Sequence, residues 1–309
     1  MFGAGDNLSS EVQVVVVHYR TPDLLRQCLK SLFSGSMIPG KIVVVDSASE
    51  DDSFRAVMKN YPATETISLS ENLGFGAAAN TGVSMCVGDN VAILNADVFV
   101  EERCLEELTK ALIDNEDWAI AAPSLVSTDG TVQPSGYDFP DIADAFKDLA
   151  PDFAAYWARN QSQNDAAESV GKTIGYPLGA IMLVKKSIFD QAGGFDERYF
   201  LYSEEIDLCR RISNLGHGVG HVPYARAVHI GGASTSQNRL SSISHLYLSK
   251  LTYFYRHHPR LYAIAAHVSI LIGLSINPLR AILPRQDSLG LTPVGYWNLF
   301  RDIVRYRPR

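Results

Sequence analysis

Residues 12–18 read Val12-Gln13-Val14-Val15-Val16-Val17-His18, and this run decides the fold class. β-Branched residues in an apolar run, without polar alternation, predict a strand buried on both faces of a parallel sheet. Thr21 as a cap, Pro22 at the first helical position and Asp23 as an early acid then open a helix to about Phe33. The alternation repeats. Lys41–Val45 is a second buried strand ending in Asp46, and Ser49 with Asp52 starts another helix. Thr64–Leu69 is a third strand and Phe75–Cys86 a third helix. Val91–Leu94 is a fourth strand, running into Asn95-Ala96-Asp97, and Glu101–Ile113 is a further helix. Strand and helix at this spacing mean crossover units on a mainly parallel α/β sheet flanked by helices. Ligands bind such sheets beyond the carboxyl ends of the strands, where Asp46 and Asn95–Asp97 fall.

Residues 127–175 break the rhythm. Their aromatics (Tyr137, Phe139, Phe146, Phe153, Tyr156, Trp157) are more than a disordered linker holds, so the stretch is an insertion. It serves either as a lid or acceptor wall, with Trp157 facing the acceptor, or as a structural excursion. Periodicity returns with a strand at Ala180–Val184, a turn at Gly193-Gly194-Phe195-Asp196 and a helix from Glu204 to about Leu215, capped by Ser203. Two short strands follow near Val219–Val222 and Ala227–Ile230. From about Leu240 the chain reads as helices. Leu261–Ile276 is apolar except for His267 and small polar residues, and Asn277-Pro278 interrupts it. Spanning a bilayer takes roughly 20 apolar residues, so this run is short. Its basic flanks (Arg256, His257, His258, Arg260, Arg280, Arg285) suit a membrane interface; burial on the sheet domain or on a second subunit of a homodimer is the alternative.

The 309 residues are 46% hydrophobic and 20% charged, a globular composition that excludes disorder and fibres and allows a large core. The net charge of −7 is unevenly shared. Residues 1–235 hold 17 Lys and Arg against 32 Asp and Glu, whereas 236–309 hold 10 against 2. A basic tail asks for an anionic partner; the acidic body argues against nucleic acid. Cys28, Cys86, Cys104 and Cys209 lie far apart with no CxxC pair, which disfavours a disulfide scaffold or a cysteine zinc site and favours a reducing compartment. Met1–Ser10 lacks the basic patch and apolar run of a secretory signal.

Five constellations can carry chemistry. In Asn95-Ala96-Asp97 two side-chain oxygens at a strand end can face a divalent cation bridging a diphosphate, although the same pattern makes ordinary turns. Asp46 can accept a hydrogen bond from the imide N–H of a uracil or thymine, while Ser49, Asp51 and Asp52 suit the following helix. Gly74 and Gly76 open the small-residue helix that carries Asn80, and a helix N-terminus favours phosphate. No glycine follows the first strand in His18-Tyr19-Arg20-Thr21-Pro22, which disfavours a dinucleotide-dependent dehydrogenase. Glu204, Glu205 and Asp207 in one helical turn satisfy the macrodipole, and Asp207 with Arg211 makes an i,i+4 pair. One of these carboxylates, so placed, can also take a proton from an attacking hydroxyl. His229, before Gly231-Gly232, either completes a metal site or is structural.

The ordered set from the valine run through Asp46-Ser47-Ala48-Ser49, Asn72-Leu73-Gly74-Phe75-Gly76, Asn80, Asn95-Ala96-Asp97, Gly193–Glu197, Tyr202–Asp207 and His229 resembles the family-2 glycosyltransferases. It is most similar to the bacterial rhamnosyltransferase branch, which builds cell-surface polysaccharide. The resemblance covers roughly residues 12–235. It implies a GT-A fold over 1–235 with a basic helical extension at 236–309, a nucleotide-diphosphate sugar donor, Mg²⁺ or Mn²⁺, and inversion at the anomeric carbon. It implies that Asp46 holds the base, that Tyr19, Ser49, Gly74, Phe75, Asn80 and Asn95 line the donor pocket, and that Asp97 binds the metal with help from His229. Glu205 becomes the general base, with Glu204 and Asp207 as neighbours on the acceptor side.

Two departures stand out: Asn95 replaces the first Asp of the family's Asp-x-Asp, and Glu205 replaces an Asp one methylene shorter. The donor implied is dTDP-L-rhamnose, with a UDP-hexose or UDP-galactofuranose as alternative. The acceptor is a lipid-linked or growing oligosaccharide, met in the cytoplasm at the inner face of the membrane. The rivals are a nucleotidyltransferase, whose glycine-rich basic loop is not visible, and a non-catalytic sugar-binding protein with a degenerate transferase fold.

Overall fold

The computed structural model describes residues 12–49, 52–141, 144, 172–232, 239–280 and 291–308, with backbone alone at 276–280. They divide into two compact units. One is drawn from the spans Met1–Asp138, Asp165–Glu197 and Glu204–Ser234, the other from Phe139–Asn164, Arg198–Ser203 and Thr235–Arg309.

The first unit opens as β1 (Val12–His18), α1 (Pro22–Ser34), β2 (Lys41–Asp46), α2 (Ser53–Met58), β3 (Glu65–Ser68), α3 (Phe75–Ser84) and β4 (Asn90–Asn95). It continues with β5 (Val98–Val100), α4 (Cys104–Asp114), β6 (Trp118–Val126), β7 (Val132–Gln133), β8 (Gly136–Tyr137), β9 (Lys172–Ile174) and β10 (Tyr176–Pro177). β11 (Ile181–Lys185), α5 (Lys186–Gln191), α6 (Glu204–Asn214) and β12 (Gly218–His229) complete it. The main sheet runs β3-β2-β1-β4-β11-β6-β12-β5, with β7 beside β6 and β9 beside β12. β3, β2, β1 and β4 are mutually parallel, as are β6 and β12, and β11 runs antiparallel between β4 and β6.

β1 lies between β2 and β4 with helices on both faces, which is why its valines do not alternate with polar residues. Val12, Val14 and Val16 pack with Leu25, Leu29 and Leu32 of α1 and Leu105, Leu108 and Leu112 of α4. Each such side chain contributes about 1.5–3 kcal/mol on burial. Val15 turns the other way, toward α3. A Cβ on Gly82 would lie 2.4 Å from Val15 Cγ1 and 3.0 Å from Val45 Cγ2, so only a glycine lets α3 lie this close to the sheet.

Several expectations change. Asp52, not Ser49, stands at the N-cap of α2. The Ser49 hydroxyl instead accepts from the Arg20 N–H at 2.9 Å. Thr21 occupies the N-cap of α1 without a side-chain cap, and its N–H donates to His18 Nε2 at 3.1 Å. The two strands expected near 219–230 are one strand, β12, whose register against β6 shifts between Val222 and Arg226. β6 itself, buried along all nine residues, is hidden in sequence by Pro123 and three alanines. Pro123 is tolerated in this interior strand because it pairs with Val222, where the ladder breaks. All four cysteines are free and buried.

In the second unit α7 (Arg239–His257), α8 (Arg260–Arg280) and α9 (Pro293–Arg305) share a core of Tyr247, Leu251, Ile270, Leu274, Tyr296 and Leu299. Phe200 stacks on His245 at 4.3 Å, and the Ser249 hydroxyl donates to the Leu201 carbonyl at 2.8 Å. α8 runs through Asn277-Pro278 rather than stopping there. Among the described residues no helix is long and apolar enough to cross a membrane. The expected insertion divides: 127–138 and 172–175 belong to the first unit, while 145–171, with Trp157, lies outside the described residues.

Candidate active site

The first corner forms at the adjacent ends of β1 and β2, where His18 and Asp46 are register partners. His18 Nε2 accepts from the Thr21 N–H, so Nδ1 carries the proton and donates to Asp46 Oδ1 at 2.7 Å. Asp46 Oδ2 accepts from the Ser49 N–H at 3.0 Å. Arg20 and Ala48 hold left-handed φ of 52° and 59°, conformations that non-glycine residues keep only where surroundings enforce them. The Arg20 guanidinium lies 5.1 Å from the Tyr19 ring centre. Tyr19, Asp46 and Ser49 are thus brought together. Between them Ser47 keeps a buried hydroxyl with no hydrogen-bond partner, an open polar position at a strand end.

The second corner is the turn after β4. Asn95 and Ala96 are pinned by backbone bonds to Ala180 and Val17, both 3.0 Å, and Asp97 faces the end of β12. His229 Nε2 stands 3.8 Å from Asp97 Oδ1, with each side chain 13% exposed. Gln133 donates from Nε2 to the His229 carbonyl at 2.8 Å, and its Oε1 accepts from His229 Nδ1 at 3.0 Å. The Nε2 lone pair of the neutral ring therefore points into the site. Asp97 Oδ1 is buried with no hydrogen-bond partner. Burial raises the Asp97 carboxyl above its ordinary range, against the opposing pull of His229, and burial lowers the His229 imidazole.

A carboxylate oxygen and an imidazole lone pair, close together and short of partners, fit a divalent cation. Among the described residues no group of three or more His, Cys, Asp or Glu forms a fuller cage. Asp97 and His229 are the residues that would hold such an ion.

At α3 the Gly74 N–H donates to Asn72 Oδ1 at 3.0 Å, and the Phe75 ring meets Phe195 edge-on at 5.7 Å. Asn80 Oδ1 accepts from the Phe195 N–H at 2.9 Å, while Nδ2 donates to the Phe195 carbonyl at 2.9 Å and to Glu197 at 3.2 Å. Gly194 holds a φ of 69°, and a Cβ there would stand 2.7 Å from Asn80 Oδ1.

α6 presents its acids differently. Glu204 is 6% exposed, with Oε2 lacking a partner, and burial together with the Glu205 charge pushes its carboxyl well up. Asp207 is fully buried; its Oδ2 accepts a hydrogen bond from Arg211 Nε at 2.7 Å and forms an ion pair with the same guanidinium, Nη2 also lying at 2.7 Å. Arg211 also donates to the Ala192 carbonyl. Glu205 alone of the three is half-buried. It packs on Gly179, where a Cβ would lie 3.2 Å from its Cγ, and its charge joins burial in raising the Tyr137 phenol. His18, Ser47, Gln133 and Gly179 were not singled out by sequence. Gln133 had no local signal, since 96 residues separate it from the histidine it orients.

The model for the family described as glycosyl transferase family 2 matches residues 13–193. The chain is 27% identical over 252 residues to an N-acetylglucosaminyl-diphospho-decaprenol L-rhamnosyltransferase of Mycobacterium tuberculosis, covering 77% of this chain and 81% of that one. It is 24% identical over 227 residues to rhamnosyltransferase WbbL of Escherichia coli, covering 71% and 83%. Among solved structures, the mannosyltransferase PcManGT of Pyrobaculum calidifontis, in complex with GDP-Man and Mn²⁺, matches 95% of this chain and 85% of its own. Its TM-score is 0.56 at 17% identity, a likeness of fold. The chain belongs to glycosyl transferase family 2, where it is similar to rhamnosyltransferases, and its mixed sheet with flanking helices is the GT-A fold.

Proposed function

We propose that the chain is an inverting hexosyltransferase that moves L-rhamnose from dTDP-L-rhamnose to a hydroxyl of a lipid-linked or growing glycan. The observation that carries the reading is the buried, unpartnered Asp97 Oδ1 beside the His229 Nε2 lone pair at the ends of β4 and β12. The similarity to rhamnosyltransferases, one of them named for a decaprenol-diphosphate acceptor, supports the donor and acceptor classes.

Asp97 and His229 would hold Mg²⁺ or Mn²⁺, which supplies charge neutralisation for a departing nucleoside diphosphate. Asn95, being uncharged, leaves the negative charge at this turn to Asp97. Asp46 fixes the base pocket: each of its oxygens already accepts one bond, and a carboxylate has room for further donors such as an imide N–H. The Ser47 hydroxyl favours a polar ligand at the same place.

Glu205 is the base, because its carboxylate is reachable while Glu204 is shut in and Asp207 is committed to Arg211. It takes the proton of the acceptor hydroxyl as that oxygen bonds to the anomeric carbon. The bond from that carbon to the diphosphate oxygen breaks in the same displacement, with inversion. The second unit holds the enzyme on an anionic membrane surface. Leu261, Ile264, Val268 and Ile272 make an exposed apolar stripe along α8 in a basic region, and charge complementarity selects the occupant.

A thermal-shift panel of nucleoside diphosphates with and without Mn²⁺ tests the reading. A ligand at about 100 times its Kd adds about 2.7 kcal/mol. Metal-dependent stabilisation by dTDP is expected; a folded protein indifferent to every nucleotide overturns it.

A further inference from the structure

His18, at the end of β1, has no exposed surface and ties together the two loops that meet beside Asp46. We infer that His18 is a positioning residue for the nucleotide base: it aims the Asp46 carboxylate so that Oδ2 is left for a donor group of the ligand. The inference rests on the reading of Asp46 as the base-holding residue, and goes beyond it to what directs that carboxylate.

Each part of the ring is occupied. Nε2 accepts from the Thr21 N–H at 3.1 Å, so Nδ1 carries the proton and donates to Asp46 Oδ1 at 2.7 Å. The ring stacks on Phe54 of α2, with 5.6 Å between centres and 20° between planes. The backbone closes the same knot. The His18 carbonyl accepts from the Ser47 N–H at 2.8 Å, and the Arg20 N–H donates to Ser49 Oγ at 2.9 Å. Rotating the ring would break two hydrogen bonds and a stack at once, so Oδ1 is held in one place.

Asp46 is 3% exposed, and among the described residues no Lys or Arg pairs with it. Enclosed carboxylate oxygens need donors. The His18 bond at Oδ1 is wholly buried, whereas the Ser49 N–H bond at Oδ2 is only partly so. An oxygen of this kind accepts two bonds, so one lone pair remains at the less enclosed atom. With Oδ1 pinned, a ligand meets that lone pair from one direction. The imide N–H of thymine donates there. Cytosine places a ring-nitrogen acceptor in the same position and sets acceptor against acceptor.

The experiment titrates dTDP and dCDP into the full chain by calorimetry with Mn²⁺ present. Two substitutions oppose each other: His18→Phe keeps the ring and its stack but neither hydrogen bond, whereas His18→Asn keeps an N–H near the Nδ1 position and loses the stack. His18→Phe is expected to weaken dTDP about tenfold or more and to narrow its margin over dCDP, while His18→Asn stays within about threefold of the native chain. His18→Phe/Asp46→Asn should bind dTDP no more weakly than Asp46→Asn alone, because the effect passes through that carboxylate. Native affinity in His18→Phe beside a loss in Asp46→Asn overturns the inference and leaves the base pocket in place. Native affinity in Asp46→Asn, or no margin in the native chain, removes the base pocket and the inference with it. Equal losses in the two His18 variants, or additive losses in the double variant, mean that the ring only packs, and overturn the inference too. His18→Phe leaves buried polar groups unpaired; should it fail to fold, the native chain decides. Its His18 Nδ1–H proton resonance, identified by its absence from His18→Asn, should shift when dTDP binds, and an unmoved resonance overturns the inference.

Discussion

His229 Nε2 faces Asp97 Oδ1 across 3.8 Å, and Gln133 fixes which nitrogen of the ring does so. The carbonyl of Gln133 occupies Nδ1, and its amide nitrogen is anchored on the His229 carbonyl. Removing that brace frees the ring to rotate or change tautomer. Gln133→Leu is therefore expected to weaken Mn²⁺ binding about 10- to 100-fold, as loss of an orienting partner does elsewhere. Calorimetric titration of Mn²⁺ into the folded variant checks it, and unchanged affinity would remove Gln133 from the site.

The division of labour on α6 separates two neighbouring carboxylates. Glu205→Gln should cut kcat about 10²- to 10⁴-fold with little change in donor affinity, the range for loss of a general base. Glu204→Gln should stay within about tenfold of the native rate, since a carboxyl this enclosed reaches no acceptor. Steady-state rates with a rhamnosyl donor decide between them. The reverse ranking would transfer the role to Glu204.

Glu204 also makes stability depend on pH. Burial and the Glu205 charge raise its folded-state pKa above the unfolded value. Its favourable contribution is thus complete below the unfolded pKa and is lost as pH rises through the folded one. Glu204→Gln keeps the neutral shape without the titration. The variant should gain melting temperature over the native protein at about pH 8, and the gain should shrink toward about pH 4. A difference independent of pH would mean that the carboxyl does not titrate in this way.

Gly82 sets how closely α3 approaches the sheet. A methyl group there collides with Val15, so Gly82→Ala should destabilise by about 1–3 kcal/mol despite the better helix propensity of alanine. Chemical denaturation measures the loss. Because Val15 is the neighbour in the way, Val15→Ala should recover part of it, giving a coupling of about 0.5–3 kcal/mol in a double-mutant cycle.

The parallel half of the sheet was legible because each of its buried strands is a short β-branched run and each helix begins where the pattern changes. β6 was not. Its alanines carry little β signal and Pro123 argues against an interior strand, yet the break in the β12 ladder accommodates it. The same break made one strand read as two. In the site, Asp97, His229, Glu204 and Glu205 stood out by residue type and by position at element ends. Their partners did not: Gln133 reaches His229 through a two-residue strand far away in sequence, and Gly179 meets Glu205 from the loop before β11. Local pattern also could not rank Glu204 against Glu205, because solvent access is a property of the packed helix.

Asn80 spends its whole amide on the turn that leads toward the acidic helix, two bonds to Phe195 and one to Glu197. The same residue belongs to α3, whose first turn follows Gly74. Any displacement of the 194–197 turn therefore strains the helix, and a ligand that immobilises one lowers the entropy still to be lost in ordering the other. Two substrates that each contact one side of this joint would bind with positive cooperativity, and thermodynamic linkage makes their mutual enhancement equal in both directions.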